Sequence, residues 1–129
     1  MNDTISEMII RIKNAGLAGK PSVALTYSKL KFAIAELLKK EGFVSGVEVI
    51  KNEAQGVLEI TLAYINGKPR INGVQRISKL SKRVYEKARD LKSVRQGFGA
   101  LVLTTSKGIM TEKDARKENV GGEALFKIW

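Results

Sequence analysis

A chain of 129 residues with 43% hydrophobic side chains can bury a modest core, as one ordinary domain or two very small ones. It has neither cysteine nor histidine, which excludes disulfides, thiolate catalysis, nearly all structural zinc sites and the usual general base. Its formal net charge of +10 favours a polyanionic partner.

The opening "MNDTISEMIIRIKNAG" is polar and never apolar for long, so it reads as neither a signal peptide nor a membrane span, and a cytoplasmic protein is expected. Thr4 and Glu7 have the spacing of a capping box. Ile5, Met8, Ile9 and Ile12 then recur at helical intervals until Gly16 and Gly19. The polar side of this amphipathic helix carries Arg11, Lys13 and Asn14, a solvated face unless phosphates lie against it. "SVAL" at 22–25 predicts a strand. Ser28 predicts the N-cap of a second helix that ends at Gly42, with Leu30, Ile34, Leu37 and Leu38 as its buried stripe.

From Phe43 the apolar period changes to two, through Val47 and Val49 and then Val57, Leu58, Ile60 and Leu62, with the polar "KNEAQG" between as a hairpin. "NGKP" at 66–69 is the clearest turn. It coincides with a shift in charge: residues 1–67 hold eight basic and seven acidic side chains, residues 68–117 fourteen and four, and residues 118–129 one and two. These observations predict an N-terminal α/β domain over 1–67 and a C-terminal domain over 68–129. The fold class is mixed α/β (α+β): a helix-strand-helix-strand-strand unit, then a mostly β unit with short helices.

Within the second unit, Val74 to Ser78 and Arg83 to Tyr85 have short β character, and "LKSVRQGFG" predicts one short helix. "ALVLTTS" is an apolar strand, "MTEKDARKEN" a polar helix capped by Thr111, and "EALFKIW" a last strand. Phe32, Phe43, Phe98, Phe126 and Trp129 are assigned to packing or sheet edges.

The stretch "TTSKG", Thr104 to Gly108, invites a catalytic reading, but a hydroxyl nucleophile needs a base and only Lys107 is near. Ser28 and Lys31 have Ser-x-x-Lys spacing without the companion motifs of acylases, and a helix cap explains Ser28 better. A phosphate-loop pattern is absent, because Lys107 precedes Gly108. As an RNA contact the same stretch is coherent. Thr104, Thr105 and Ser106 offer hydroxyls to base edges, 2′-hydroxyls and phosphates, Lys107 offers charge, and Gly108 admits close approach. The competing interpretation is an ordinary Ser/Thr turn between a strand and the next element. Tyr85 lies among Lys82, Arg83, Lys87 and Arg89, a texture suited to stacking beside phosphates, or else is a half-buried strand tyrosine. No zinc-finger spacing, RNA-recognition aromatic pair or basic recognition helix is present, so structured RNA fits better than a DNA operator.

"GALVLTTSKGIMTEKDARKENVGGEALFKIW" closely resembles the C-terminal signature of the bacterial small-subunit ribosomal protein eight family (the S-eight family). "DTISEMIIRIKNA", "YSKLKFAIAELLKKEGF", "QGVLEITL", "GVQRISK" and "RVY" resemble its earlier blocks in the same order. The resemblance implies a two-domain protein, without catalytic activity, cofactor or metal, that binds the central domain of small-subunit rRNA during assembly, beside neighbouring ribosomal proteins. It implies a monomer when free, and no membrane or DNA partner. Many members also repress their own operon through an mRNA site that mimics the rRNA.

By the same resemblance, Thr104, Thr105, Ser106, Lys107 and Gly108 contact an irregular region of an rRNA helix. Tyr85 and Glu123 lie near the same RNA surface, and Asn14, Ser28, Lys29 and Lys31 supply contacts from the N-terminal domain. Two departures stand out. Thr104 replaces the usual Ser, keeping the hydroxyl and adding a methyl, and Leu80-Ser81 replaces a Pro-Gly pair.

Overall fold

The computed structural model describes residues 3–51 and 56–129. The chain forms two compact units, Thr4–Asn72 and Gly73–Trp129, the latter including Asp3. The "NGKP" turn lies inside the first unit, as the bend of a small hairpin.

In the first unit, Thr4–Leu17 forms α1, Ser22–Thr26 β1, Lys29–Lys40 α2, Val44–Lys51 β2 and Gly56–Leu62 β3. The hairpin of β4 (Tyr64–Ile65) and β5 (Lys68–Pro69) follows. Asn66 and Gly67 turn it with φ of 53° and 78°, the left-handed pair that a two-residue hairpin loop requires. The three long strands form an antiparallel sheet in the order β1-β3-β2. Ile5, Met8, Ile9 and Ile12 of α1 are buried, as are Ile34, Ala35, Leu37 and Leu38 of α2 and Leu25, Leu58 and Ile60 of the sheet.

Several details depart from the sequence expectations. Thr4 is already helical, so it is no N-cap; Asp3 precedes the helix, and its carboxylate accepts from Arg76 Nε at 3.0 Å. Gly16 lies within α1, and Gly19, with φ of 73°, follows the helix end. Leu30 is 40% exposed, because the buried stripe of α2 begins one turn later with Ile34 and Ala35. Most of the polar link expected to turn the β2–β3 hairpin, residues 52–55, lies outside the described residues; the paired strands themselves run to Lys51 opposite Gly56.

The second unit contains β6 (Val74–Arg76), β7 (Tyr85–Glu86), β8 (Ala100–Thr105), β9 (Gly108–Thr111), α3 (Glu112–Glu118) and β10 (Gly122–Ile128). Strand β10 is central: β8 pairs along one side, while β6 pairs with residues 126–128 and β7 with residues 122–123 on the other. Leu125 is the bulged residue between these halves, and its carbonyl accepts from the Ile77 amide at 3.0 Å and from the Arg76 guanidinium. Between β6 and β7 the chain leaves the sheet in a tight turn, where Lys79 and Lys82 exchange backbone hydrogen bonds of 2.9 and 3.1 Å around Leu80-Ser81. Leu91, Val94, Leu101, Leu103, Ala115 and Ala124 form the core on the α3 side.

Thr111 caps α3 as expected, its hydroxyl accepting from the Asp114 amide at 3.4 Å. Strand β9 was not anticipated: the hydroxyl-rich turn leads into a strand before α3 begins. The short helix expected in "LKSVRQGFG" is a single 3-10 turn at Arg95–Gly97, distorted because Arg95 and Gln96 take positive φ, 51° and 56°. A short 3-10 turn at Ala88–Asp90 also went unanticipated.

Candidate RNA interface

Strands β8 and β9 form a hairpin in which Thr105 faces Gly108, leaving Ser106 and Lys107 at the tip. The Thr105 hydroxyl donates to the Gly108 carbonyl at 2.8 Å and accepts from the Lys107 amide at 3.1 Å. Thr105 therefore closes the turn, as a short hydroxyl side chain does when it replaces a backbone partner. Gly108 sits at φ of 109°, where a side chain would be strained. Ser106 is exposed, and its hydroxyl makes no hydrogen bond among the described residues. Lys107 Nζ lies 3.1 Å from Glu118 of α3, both side chains about half exposed, a pairing that an incoming phosphate can replace at little cost.

Beside the hairpin, the register aligns one row across four strands: Tyr85 opposite Glu123, Glu123 opposite Thr104, Thr104 opposite Ile109. Directly opposed residues share a sheet face, so this row lies on the face away from Leu103, Ala124 and Met110, which face the α3-side core. Tyr85 is 70% exposed, so it is not the half-buried strand tyrosine that the sequence also allowed.

The side chain of Glu123 is only 15% exposed, and its carboxylate faces the protein. It accepts from the hydroxyl of fully buried Ser78 and from Arg83 Nη1 at 3.1 Å, while Ser78 Oγ accepts from the Val84 amide at 3.1 Å. The Ser78 hydrogen bond, opposed by burial and aided by Arg83 and Arg76, holds the carboxyl below its ordinary range. Glu123 thus positions the segment that carries Arg83 and Tyr85.

Two glycines let the row assemble. A Cβ on Gly122 would lie 2.2 Å from the Thr104 carbonyl oxygen, and one on Gly121 would lie 2.3 Å from that of Glu86. Only hydrogen at these positions allows β10 to approach both β8 and β7 this closely.

The residues expected to contribute from the first unit separate into different tasks. Ser28 is the N-cap of α2, its hydroxyl accepting from the Lys31 amide at 3.1 Å. Lys29 is exposed in the first turn of that helix. Asn14 is exposed and lines an open groove of about 480 Å³ between α1 and β1, together with Arg11, Lys20 and Ser22. Arg11 donates to the Ala24 carbonyl and Lys31 to the Thr26 carbonyl, each at 3.0 Å. Asn14 and Lys31 each share a recess with Arg11, but Ser28 and Lys29 line neither. Lys20 was missed in the sequence, where a lysine after a turn glycine gives no signal of the groove it enters.

The sequence matches the family described as Ribosomal protein S8 over residues 3–129. The chain belongs to the ribosomal protein S8 family. It is 44% identical to the small ribosomal subunit protein uS8 of Streptococcus sanguinis over 130 residues, 100% of this chain and 98% of that protein. It is 45% identical to the uS8 of Acinetobacter baylyi and 46% identical to that of Acinetobacter baumannii, each over 97% of this chain and 95% of the relative. Membership in the S8 family makes it a structural, non-enzymatic ribosomal protein. The local geometry agrees with that class, since Lys107 is half-exposed and paired with an acid instead of being buried against a hydroxyl.

Proposed function

We propose that this S8-family chain works in the cytoplasm as a constituent of the small ribosomal subunit and binds the central domain of its rRNA during assembly. The observation that carries the reading is the grouping of an exposed hydroxyl, a half-buried one and an exposed ring at one end of a sheet. Ser106 sits at a hairpin tip, and Thr104 and Tyr85 flank Glu123 in one row. Hydroxyls of this kind exchange hydrogen bonds with 2′-hydroxyls and base edges in the shallow minor groove, and a phenol ring stacks on a base displaced from a helix. The cationic 68–117 segment supplies phosphate neutralisation. Asn14, Arg11, Lys20 and Lys31 supply a contact from the first unit, whereas Ser28 acts through the helix that it caps.

The test compares binding of a central-domain rRNA fragment with binding of a plain duplex of equal length. Ser106→Ala and Tyr85→Ala weaken the rRNA complex far more than the duplex complex. An equal loss on both RNAs would leave only nonspecific charge binding and overturn recognition by the row. The chain's own operon mRNA, added as competitor, reports whether the same surface serves repression.

A further inference from the structure

Between β6 and β7 the chain builds a narrow prong whose base is fixed from several sides. The Ser78 amide donates to the Ala124 carbonyl at 3.1 Å, the Ala124 amide to the Val84 carbonyl at 2.8 Å, and the Val84 amide to the Ser78 hydroxyl at 3.1 Å. Residues 78 and 84 are thereby tied to β10 and to each other. One step further out, Lys79 and Lys82 exchange both of their backbone hydrogen bonds, which leaves only Leu80 and Ser81 to make the turn. Neither of these takes the positive φ that Asn66 and Gly67 adopt in the other two-residue turn, so the two arms splay and their pairing stops at this single bridge.

The charge on this prong is what packing does not explain. Residues directly opposite in an antiparallel pair point to the same side, with Cα atoms about 5.5 Å apart when they exchange hydrogen bonds, and like charges placed so repel. Both lysines are exposed, and residues 79–83 include no acid. Among the described residues neither ammonium has a carboxylate partner, whereas the next cation, Arg83, is paired with Glu123 at 3.1 Å. Two opposed, unpaired lysines on an anchored turn weaken the free protein slightly and serve no contact within it. A multivalent anion held between them removes the repulsion. Their place indicates which anion: Lys82 lies three residues before Tyr85, at most about 10 Å along the chain, and Glu123 links the two, bonding Arg83 while standing opposite Tyr85. The backbone of a nucleotide that meets Tyr85 runs past the prong.

We propose that Lys79 and Lys82 grip one RNA phosphate between them and so fix where the strand passes the row of Tyr85, Glu123 and Thr104. This inference rests on the RNA-binding reading for its class of ligand. It gives the prong a positioning task that carries no sequence information, and leaves recognition of bases and 2′-hydroxyls to the row.

The experiment measures binding of the central-domain rRNA fragment across a salt series for three variants of the full chain, each checked by thermal melting. One carries Lys79→Gln with Lys82→Gln, one carries Lys113→Gln with Lys117→Gln on α3, and one carries Ser106→Ala. The proposal expects the prong pair to weaken binding about tenfold near physiological salt and to lower the slope of log affinity against log salt by about 1.5, with a melting temperature unchanged or raised. The α3 pair removes the same charge from exposed positions on the side of the sheet away from the row, and should do neither. Equal losses from the two lysine pairs overturn the grip in favour of diffuse charge. Normal binding by the prong variant beside a defect in Ser106→Ala overturns it too, and leaves the row's reading intact. If neither variant binds more weakly, the RNA-binding reading fails as well. Photoreactive p-benzoylphenylalanine at position 81, in the chain assembled into small ribosomal particles, answers independently of those variants' stability. A crosslink to a nucleotide is expected, and one to protein alone, or none, overturns the proposal.

Discussion

Ser78 donates its hydroxyl hydrogen to the carboxylate of Glu123 while its oxygen accepts from the backbone amide of Val84, so one buried side chain ties β10 to the segment leading into Tyr85. Removing that hydroxyl leaves the Val84 amide without this partner and the Glu123 carboxylate with Arg83 alone. Ser78→Ala is expected to lower stability by about 1–3 kcal/mol, the cost of leaving buried partners unsatisfied. RNA affinity should fall with it, because Tyr85 loses its support. Denaturant titration and filter binding on the same variant check both effects.

The same carboxylate predicts an acid response. Its folded pKa lies below the ordinary 4.5, so its contribution is fully present above that value and is lost as pH falls through the lowered one. Stability of the second unit should therefore decline below about pH 4.5, and Glu123→Gln should flatten this part of the profile. Thermal melts from pH 6 to pH 3 (roughly the range over which carboxylates titrate) measure the slope.

At the hairpin, neighbouring hydroxyls should behave differently. Thr105 is committed to the turn, so Thr105→Ala is expected to cost about 1 kcal/mol of stability as well as affinity. Ser106→Ala should leave the melting temperature unchanged and weaken rRNA binding alone. Lys107→Ala should change stability by less than about 0.5 kcal/mol, since its ion pair is exposed, but should reduce the salt dependence of binding by roughly one counterion. Melting curves and binding isotherms across a salt series separate the three.

Glycine at 122 is required by a carbonyl oxygen and not by backbone angle. Gly122→Ala would put a methyl 2.2 Å from the Thr104 oxygen, and the strands must part to admit it. A loss of about 2 kcal/mol or more is expected, in the range of overpacked sites. A variant that melts like the native protein would show that β10 and β8 can separate freely.

Ser28 provides a contrast. Ser28→Ala should cost about 1 kcal/mol through loss of the α2 cap, with no specific effect on RNA binding once the protein is folded. If rRNA affinity falls much further than helix stability, the hydroxyl has a second role.

The elements legible in the sequence were those with a local signal. Repeating apolar intervals located α1 and α2, and side chains positioned to reach their own backbone identified Ser28 and Thr111 as caps. Strand β9, "GIMT", is too short to show alternation, and it exists because β8 offers a partner. Leu30 and Phe98 look like core residues by type, but burial depends on what lies opposite, which a one-dimensional pattern omits. At the candidate site, the resemblance singled out a block of residues without dividing their labour. That Thr105 closes a turn, Glu123 faces inward and Gly121 and Gly122 admit neighbouring backbone depends on distances between strands remote in sequence.

Strand β1 lies at the edge of its sheet, and its outward carbonyls at Ala24 and Thr26 are occupied by Arg11 and Lys31. An open edge is a template on which another chain can add a strand, and cations placed along it are a common guard against such pairing. Until RNA arrives, a ribosomal protein has no partner covering its surface. The charge that suits it to a polyanion then also keeps copies of the chain from joining edge to edge, so neutralising Arg11 and Lys31 together should turn a ribosomal protein into an aggregating one.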